Sequence, residues 1–246
     1  MNLTKIVLNI LPKKGIIKLY WIIRSKIMVC FDDIRKSKAI KAYIDAADAS
    51  LSALGYTEHS TAHVTKVADD AAMILSSLGF DERTVELVRI AAYLHDIGNL
   101  VNRDDHSQSG AIMAFRILNE LGMDPTEIAT VVTAIGNHDE STGVAVNPVA
   151  AALIIADKAD VRRTRVRNRD FSTFDIHDRV NYSVFETSLD VDVEAREVRL
   201  AIKIDTEISS IMDYFEIFLG RMIMCRGSAQ ALGLAFRFTI NEQNFI

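Results

Sequence analysis

From Asp32 to Asp157, apolar residues recur at helical spacing in one segment after another, and each segment is bounded by residues that start or stop a helix. No other property of the chain limits its fold as strongly. Asp32–Leu54 reads as helical up to Gly55, a fitting C-cap. Ser60 or Thr61 caps the next segment, which runs through His63, Val67, Ala71 and Leu75 towards Gly79. Asp81 opens a helix with Val85, Val88, Ile90, Ala91 and Leu94, stopped by Gly98. Asp104 or Asp105 opens another, with Ile112, Phe115, Ile117 and Leu118 before Gly122. Asp124-Pro125-Thr126-Glu127 has the N-cap aspartate, the proline at N1 and the glutamate at N3, and its helix ends near Gly136-Asn137. Asn147-Pro148 starts a last one, through Leu153 and Asp157 into the arginine-rich stretch Arg162–Arg169. With only three prolines in 246 residues, a loop-rich architecture has little support.

The period changes after about residue 180. Val198, Leu200, Ile202 and Ile204 alternate with Arg199, Ala201 and Lys203, and pair with Tyr182–Val193 as a hairpin around Glu194-Ala195-Arg196-Glu197. A helix from Glu207 to Leu232 and a strand over Leu234–Ile240 complete the reading. Met212, Phe215, Phe218 and Met222 form an apolar face suited to the core of this tail or to a dimer contact. The predicted fold is mainly α: a basic-apolar extension over 1–31, a helical domain over 32–170, and a small α+β region over 171–246.

Charge and cysteine usage narrow the setting. Residues 1–31 hold six Lys/Arg and no Asp/Glu, so the remainder has 22 basic against 33 acidic residues, a net −11. The overall net charge of −5 argues against general nucleic-acid binding. Neither apolar run of the first 31 residues has the roughly 20 residues a bilayer span needs. The segment fits an extra helix, sequence upstream of a start at Met28, or weak contact with an anionic membrane surface. Cys30 and Cys225 are too few for a disulfide scaffold, and a cytoplasmic location follows as the default.

Six histidines are present, and four stand at or near predicted helix ends: His63, His95, His106 and His138, separated by 32, 11 and 32 residues, with Asp157 19 further on. Imidazole and carboxylate are the neutral and anionic ligands that divalent Fe, Mn, Ni, Co or Zn accept. At the inner ends of antiparallel helices they converge on one point of a bundle core. His177-Asp178 lies outside this series and reads as structural or at a rim, and His59 is set apart from His63 by the caps Ser60 and Thr61.

His63 with Val67-Ala68 and Ala71, Ala92-Tyr93-Leu94-His95-Asp96-Ile97-Gly98, and Ile155-Ala156-Asp157-Lys158 resemble the H…HD…D pattern of the HD-domain metal-dependent phosphohydrolase superfamily. His106-Ser107-Gln108-Ser109-Gly110-Ala111 and Gly136-Asn137-His138 are similar to the two extra histidines of its two-metal branches. Those branches include the bacterial symmetrical diadenosine-tetraphosphate hydrolases, to which Ala156-Asp157-Lys158-x-Asp160…Arg162 is nearer, and the cyclic-dinucleotide phosphodiesterases. The likeness covers about residues 59–165, and the tail from Asp175 to Ile246 resembles that of unassigned bacterial HD phosphohydrolases. Asn99, Asn137-His138-Asp139 and Ser141–Val146 depart from the cyclic-dinucleotide branch, where a Lys, a His-His-Glu and a Gly-Tyr-Pro are found, and disfavour that activity.

The resemblance implies an HD helical bundle holding one or two divalent ions of Fe, Mn, Ni, Co, Mg or Zn. His63, His95, Asp96 and Asp157 would take the first; His106 and His138 would complete a second, with Asp96 bridging, or would instead bind a substrate phosphate. The implied activity is hydrolysis of a phosphoester or phosphoanhydride of a nucleotide-like small anion by metal-activated hydroxide. Asp96 has the catalytic part and Lys158 or Arg162 meets the phosphate, with Arg163 and Arg165 nearby. The competing reading is a non-catalytic metal-binding HD sensor whose C-terminal region binds a partner. A homodimer is a further expectation.

Overall fold

The computed structural model describes residues 28–140 and 142–246; the expectations for the basic-apolar extension fall almost wholly outside these residues. Helices α1 (Phe31–Arg35), α2 (Lys38–Ala53), α3 (Thr61–Ser77), α4 (Glu82–Leu94), α5 (His106–Leu121), α6 (Pro125–Gly136) and α7 (Pro148–Ala159) come first, with a 3-10 turn at Ile97–Leu100. After 3-10 turns at Arg163–Arg165 and Phe171–Thr173 come α8 (Ile176–Ser183), β1 (Val184–Asp192), β2 (Glu197–Ile204), α9 (Ile211–Ala231), β3 (Ala235–Ile240) and β4 (Gln243–Asn244). The mainly α fold with a small α+β appendage is what the sequence predicts. Among the described residues no helix is long and apolar enough to cross a membrane.

The caps act as the sequence implies. Side chains of Ser60, Asp81, Asp124 and Asn147 each accept a backbone N–H of the first turn they precede. Two boundaries differ from expectation. The segment predicted as one helix from Asp32 is two, because Ser37 caps α2 and interrupts the run at Lys36. The last helix of the bundle stops at Ala159 instead of continuing into the arginines, since Asp160 leaves the helical conformation to reach other partners.

α7 is the axis of the bundle. From Val149 to Ala156 every residue is buried, and α3, α4, α6 and α9 pack around it. A helix apolar on all sides needs such a complete jacket, and Ala150, Ala151, Ala152 and Ala156 let the neighbours approach closely. Its C-terminal end therefore delivers Asp157 and Lys158 into the interior.

The appendage is a four-stranded sheet in the order β1-β2-β3-β4, with β1 antiparallel and β3 parallel to β2. α9 makes the crossover that a parallel pair requires. One face of β2 and β3, with Val198, Leu200, Ile202, Phe236, Phe238 and Ile240, is buried. Tyr214 of α9 stacks on Phe238 with centroids 5.6 Å apart. The buried ridge of α9 is Tyr214, Phe218, Met222 and Cys225. Of the apolar face expected from sequence, Phe218 and Met222 are buried, whereas Met212 is 75% exposed and Phe215 only partly buried, because α9 packs through the neighbouring ridge that Tyr214 and Cys225 complete. Cys30 and Cys225 are both free, and burial pushes the Cys225 thiol up to about 12.

Gly98 fixes the turn after α4 against α5. A Cβ there would lie 1.9 Å from the His106 carbonyl oxygen and 2.5 Å from the Gly110 nitrogen. Gly220, in the middle of α9, faces open space. Gly98→Ala is expected to lower stability by about 2–3 kcal/mol through backbone displacement, whereas Gly220→Ala should raise it by about 0.5–1 kcal/mol; urea unfolding of the two variants checks both signs.

Candidate metal centre

Each histidine of the series is placed by a helix end. His63 sits in the first turn of α3, His95 caps α4 at its C-terminus, His106 opens α5, and His138 follows the C-cap of α6. Asp96 enters the turn after α4, and Asp157 comes from the last turn of α7. All four histidines are buried, as is Asp96.

The rings share one orientation. His63 Nδ1 is 2.7 Å from Asp160 Oδ2, His95 Nδ1 2.6 Å from the Ala92 carbonyl, His106 Nδ1 3.0 Å from that of Arg103, and His138 Nδ1 2.6 Å from that of Ile135. Each acceptor assigns the proton to Nδ1, so all four Nε2 atoms offer lone pairs. These four atoms converge on the two aspartates. His63 Nε2 lies 3.6 Å from Asp96 Oδ2 and 3.4 Å from Asp157 Oδ1; His95 Nε2 lies 3.3 and 3.6 Å from the same two oxygens. The other oxygen of Asp96, Oδ1, faces His106 Nε2 at 3.6 Å and His138 Nε2 at 3.9 Å.

The residues fit a divalent cation. His63 Nε2, His95 Nε2 and Asp96 Oδ2 are buried without a hydrogen-bond partner. Donors held about 2.0–2.2 Å from one ion stand roughly 3.3–3.6 Å apart at the corners of a tetrahedron, and the four separations around the first pair of histidines match that range. The His63, His95 and Asp157 donors form one group able to hold an ion, and His95, Asp96 and His138 form another. His106 Nε2 and His138 Nε2 face each other at 3.2 Å, two lone pairs with Arg103 Nη1 3.4 Å from the first.

Electrostatics point the same way. Burial opposes charge on His95, yet the Asp96 and Asp157 carboxylates outweigh it and push its pKa up to about 10. Burial also opposes ionisation of Asp96 and Asp157, but His95 beside the first and Lys158 beside the second hold both well below the carboxylate range. Burial, reinforced by His95 and Lys158, pulls His138 down to about 3, and burial lowers His106. Two ionised carboxylates thus draw positive charge to the Nε2 side of His95, where a divalent cation competes for the same lone pair.

Residues 61–179 match the family model described as HD domain. This segment is an HD domain. It contains all six residues of the series. An uncharacterized protein of Methanocaldococcus jannaschii is 27% identical over 160 residues, an alignment covering 56% of this chain and 61% of that protein. The chain therefore spans about three fifths of that relative's length. The crystal structure of a predicted HD superfamily hydrolase from an uncultured Thermotogales bacterium is 25% identical, with a TM-score of 0.38, over 50% of this chain and 68% of that one.

The site opens into a cavity of about 830 Å³, within the usual range for small-molecule sites. Lys158 lines it, with Nζ 2.8 Å from Asp157 Oδ2. Arg162, read from sequence as a phosphate contact, is turned elsewhere: Nε and Nη2 fork onto Asp160 at 2.5 and 2.9 Å, and the residue is not in the cavity wall. Arg163 packs on Tyr182, and buried Arg165 donates to the Glu58 and Asp160 carbonyls while reaching the wall. His177 stands at the rim, 61% exposed, and His59 packs edge-on against His63.

Sequence reasoning missed the part played by Asp160. It is 1% exposed, accepts from His63 Nδ1, and is held by Arg162; ion pairing and hydrogen bonding keep its carboxyl depressed against the effect of burial. Its spacing, one turn after Asp157 and followed by arginines, was the available signal. Asn99 also acts here, donating Nδ2 to Asp96 Oδ1 at 3.0 Å. Asp160→Asn is expected to weaken metal affinity about 10- to 100-fold, as loss of such outer partners does, with the fold retained; metal titration of the full chain measures it.

Proposed function

We propose that the protein is a metal-dependent phosphohydrolase acting on a phosphoester or phosphoanhydride of a nucleotide-like small anion. What carries the reading is the common orientation of four buried histidines, each bound outward through Nδ1 with Nε2 turned to two ionised aspartates. His63, His95, Asp96 and Asp157 would hold one ion; His106 and His138, with Asp96 shared, would hold a second. A bound divalent ion supplies Lewis acidity and offsets the charge of phosphoryl oxygens during attack by water.

The chain's own residues do the rest. Asp160 holds the His63 ring and its tautomer, and Asn99 keeps the Asp96 carboxylate turned so that one oxygen faces each histidine pair. Lys158, buried beside Asp157, meets the phosphate of the substrate. Asp139, 3.8 Å from His106 Nε2 and in the cavity wall, is placed to take up a proton from the attacking water. The acidic body of the protein does not obstruct an anionic substrate, because cations at the centre reverse the local sign. The complete donor set disfavours the sensor reading, which needs no hydrolytic centre.

Turnover of p-nitrophenyl phosphate, bis-p-nitrophenyl phosphate and nucleoside polyphosphates with added Mn tests the reading. His95→Ala and Asp96→Ala should each lower kcat/KM on the order of 10³-fold or more. Full activity in either variant would overturn it.

A further inference from the structure

The cavity wall is completed by residues from outside the HD match. Arg221 of α9 and its neighbours Ile217 and Phe218 line it. The Arg221 guanidinium lies 4.3 Å over the Phe218 ring, one helical turn earlier, which fixes its direction. Arg221 Nε is 2.7 Å from Glu140 Oε1. The angle is not that of a hydrogen bond, and the buried Nε–H has no acceptor.

The same oxygen of Glu140 is 3.6 Å from Lys158 Nζ. Two cations from different parts of the chain, Lys158 on α7 and Arg221 on α9, therefore converge on one carboxylate oxygen. Lys158 also touches Asp157 Oδ2, while Asp157 Oδ1 faces His63 and His95. The convergence point is thus one ammonium group away from the metal centre. A guanidinium fork and a lysine aimed at one place suit a tetrahedral oxyanion better than a single carboxylate oxygen.

We propose that Lys158 and Arg221 form a second oxyanion subsite beside the centre, occupied here by the Glu140 carboxylate. It receives the phosphate next to the scissile one, and the substrate class is a phosphoanhydride. Water adds to the phosphorus at the centre and gives a proton to Asp139, the P–O bond to the bridging oxygen breaks, and that oxygen leaves with its electron pair on the phosphate held by Lys158 and Arg221. Glu140 gives way to the substrate and sets how tightly the subsite binds. The cleavage rests on the hydrolase reading; the subsite does not.

The test is calorimetric titration of the full chain with inorganic pyrophosphate and with orthophosphate in matched Mn-containing buffer, alongside KM and kcat on ADP and p-nitrophenyl phosphate. Arg221→Met should weaken pyrophosphate binding about 10- to 100-fold, the size of a lost charge-assisted contact. It should raise KM for ADP by a similar factor, more than for p-nitrophenyl phosphate. Glu140→Gln should tighten pyrophosphate binding several-fold, an effect that a merely structural ion pair would not give. Pyrophosphate affinity within twofold of wild type in a folded Arg221→Met protein would overturn the subsite. If that variant fails to fold, Glu140→Gln decides, and unchanged or weaker binding counts against the proposal. Absence of turnover in the wild type would sink the hydrolase reading alone, because the titration needs no hydrolysis.

Discussion

Two ionised carboxylates in the core of a helical bundle are the constraint around which this protein is arranged. Burying a charge without a partner is costly, and Asp96 and Asp157 lie within a few ångströms of each other's histidine partners. The surrounding structure answers with positive charge or with groups able to accept a cation. Lys158 sits against Asp157, and four imidazole nitrogens face the pair. The outer ring of contacts keeps those nitrogens from turning away: three Nδ1 atoms are held by backbone carbonyls and one by Asp160.

The bundle serves this arrangement through rigid, apolar packing. α7 is apolar all round, so its end projects Asp157 and Lys158 inward from a fixed axis. The close approach at Gly98 and Gly110 locks the turn bearing Asp96 against the helix bearing His106. The C-terminal region does more than extend the core. α9 lies along α7 and brings Arg221 into the wall of the cavity, so the chemistry of that wall depends on residues far apart in sequence.

Much of this was legible in the residues themselves. Helical spacing and cap residues located most helices, and four histidines with Asp96 and Asp157 marked the centre because ligand chemistry leaves a local signature at helix ends. What was hidden depends on contacts across long separations. Arg162 follows Asp157 in a way that suggests substrate binding, yet Asp160, buried between them, captures its guanidinium. Glu140 and Arg221 are 81 residues apart, and nothing local pairs them. Which flank of α9 is buried is set by the helix and sheet packed against it, contacts that local spacing does not show, and Met212 lies off that flank.

The hydrolase reading requires the Nε2 lone pairs of His63 and His95 to be metal ligands. Crystals of the full chain loaded with Mn, measured near the Mn absorption edge, test this most directly through an anomalous difference map. The expected result is a peak in bonding contact with Nε2 of His63 and His95 and with oxygens of Asp96 and Asp157. A Mn peak elsewhere, or rings turned so that Nδ1 faces the aspartates, would contradict it.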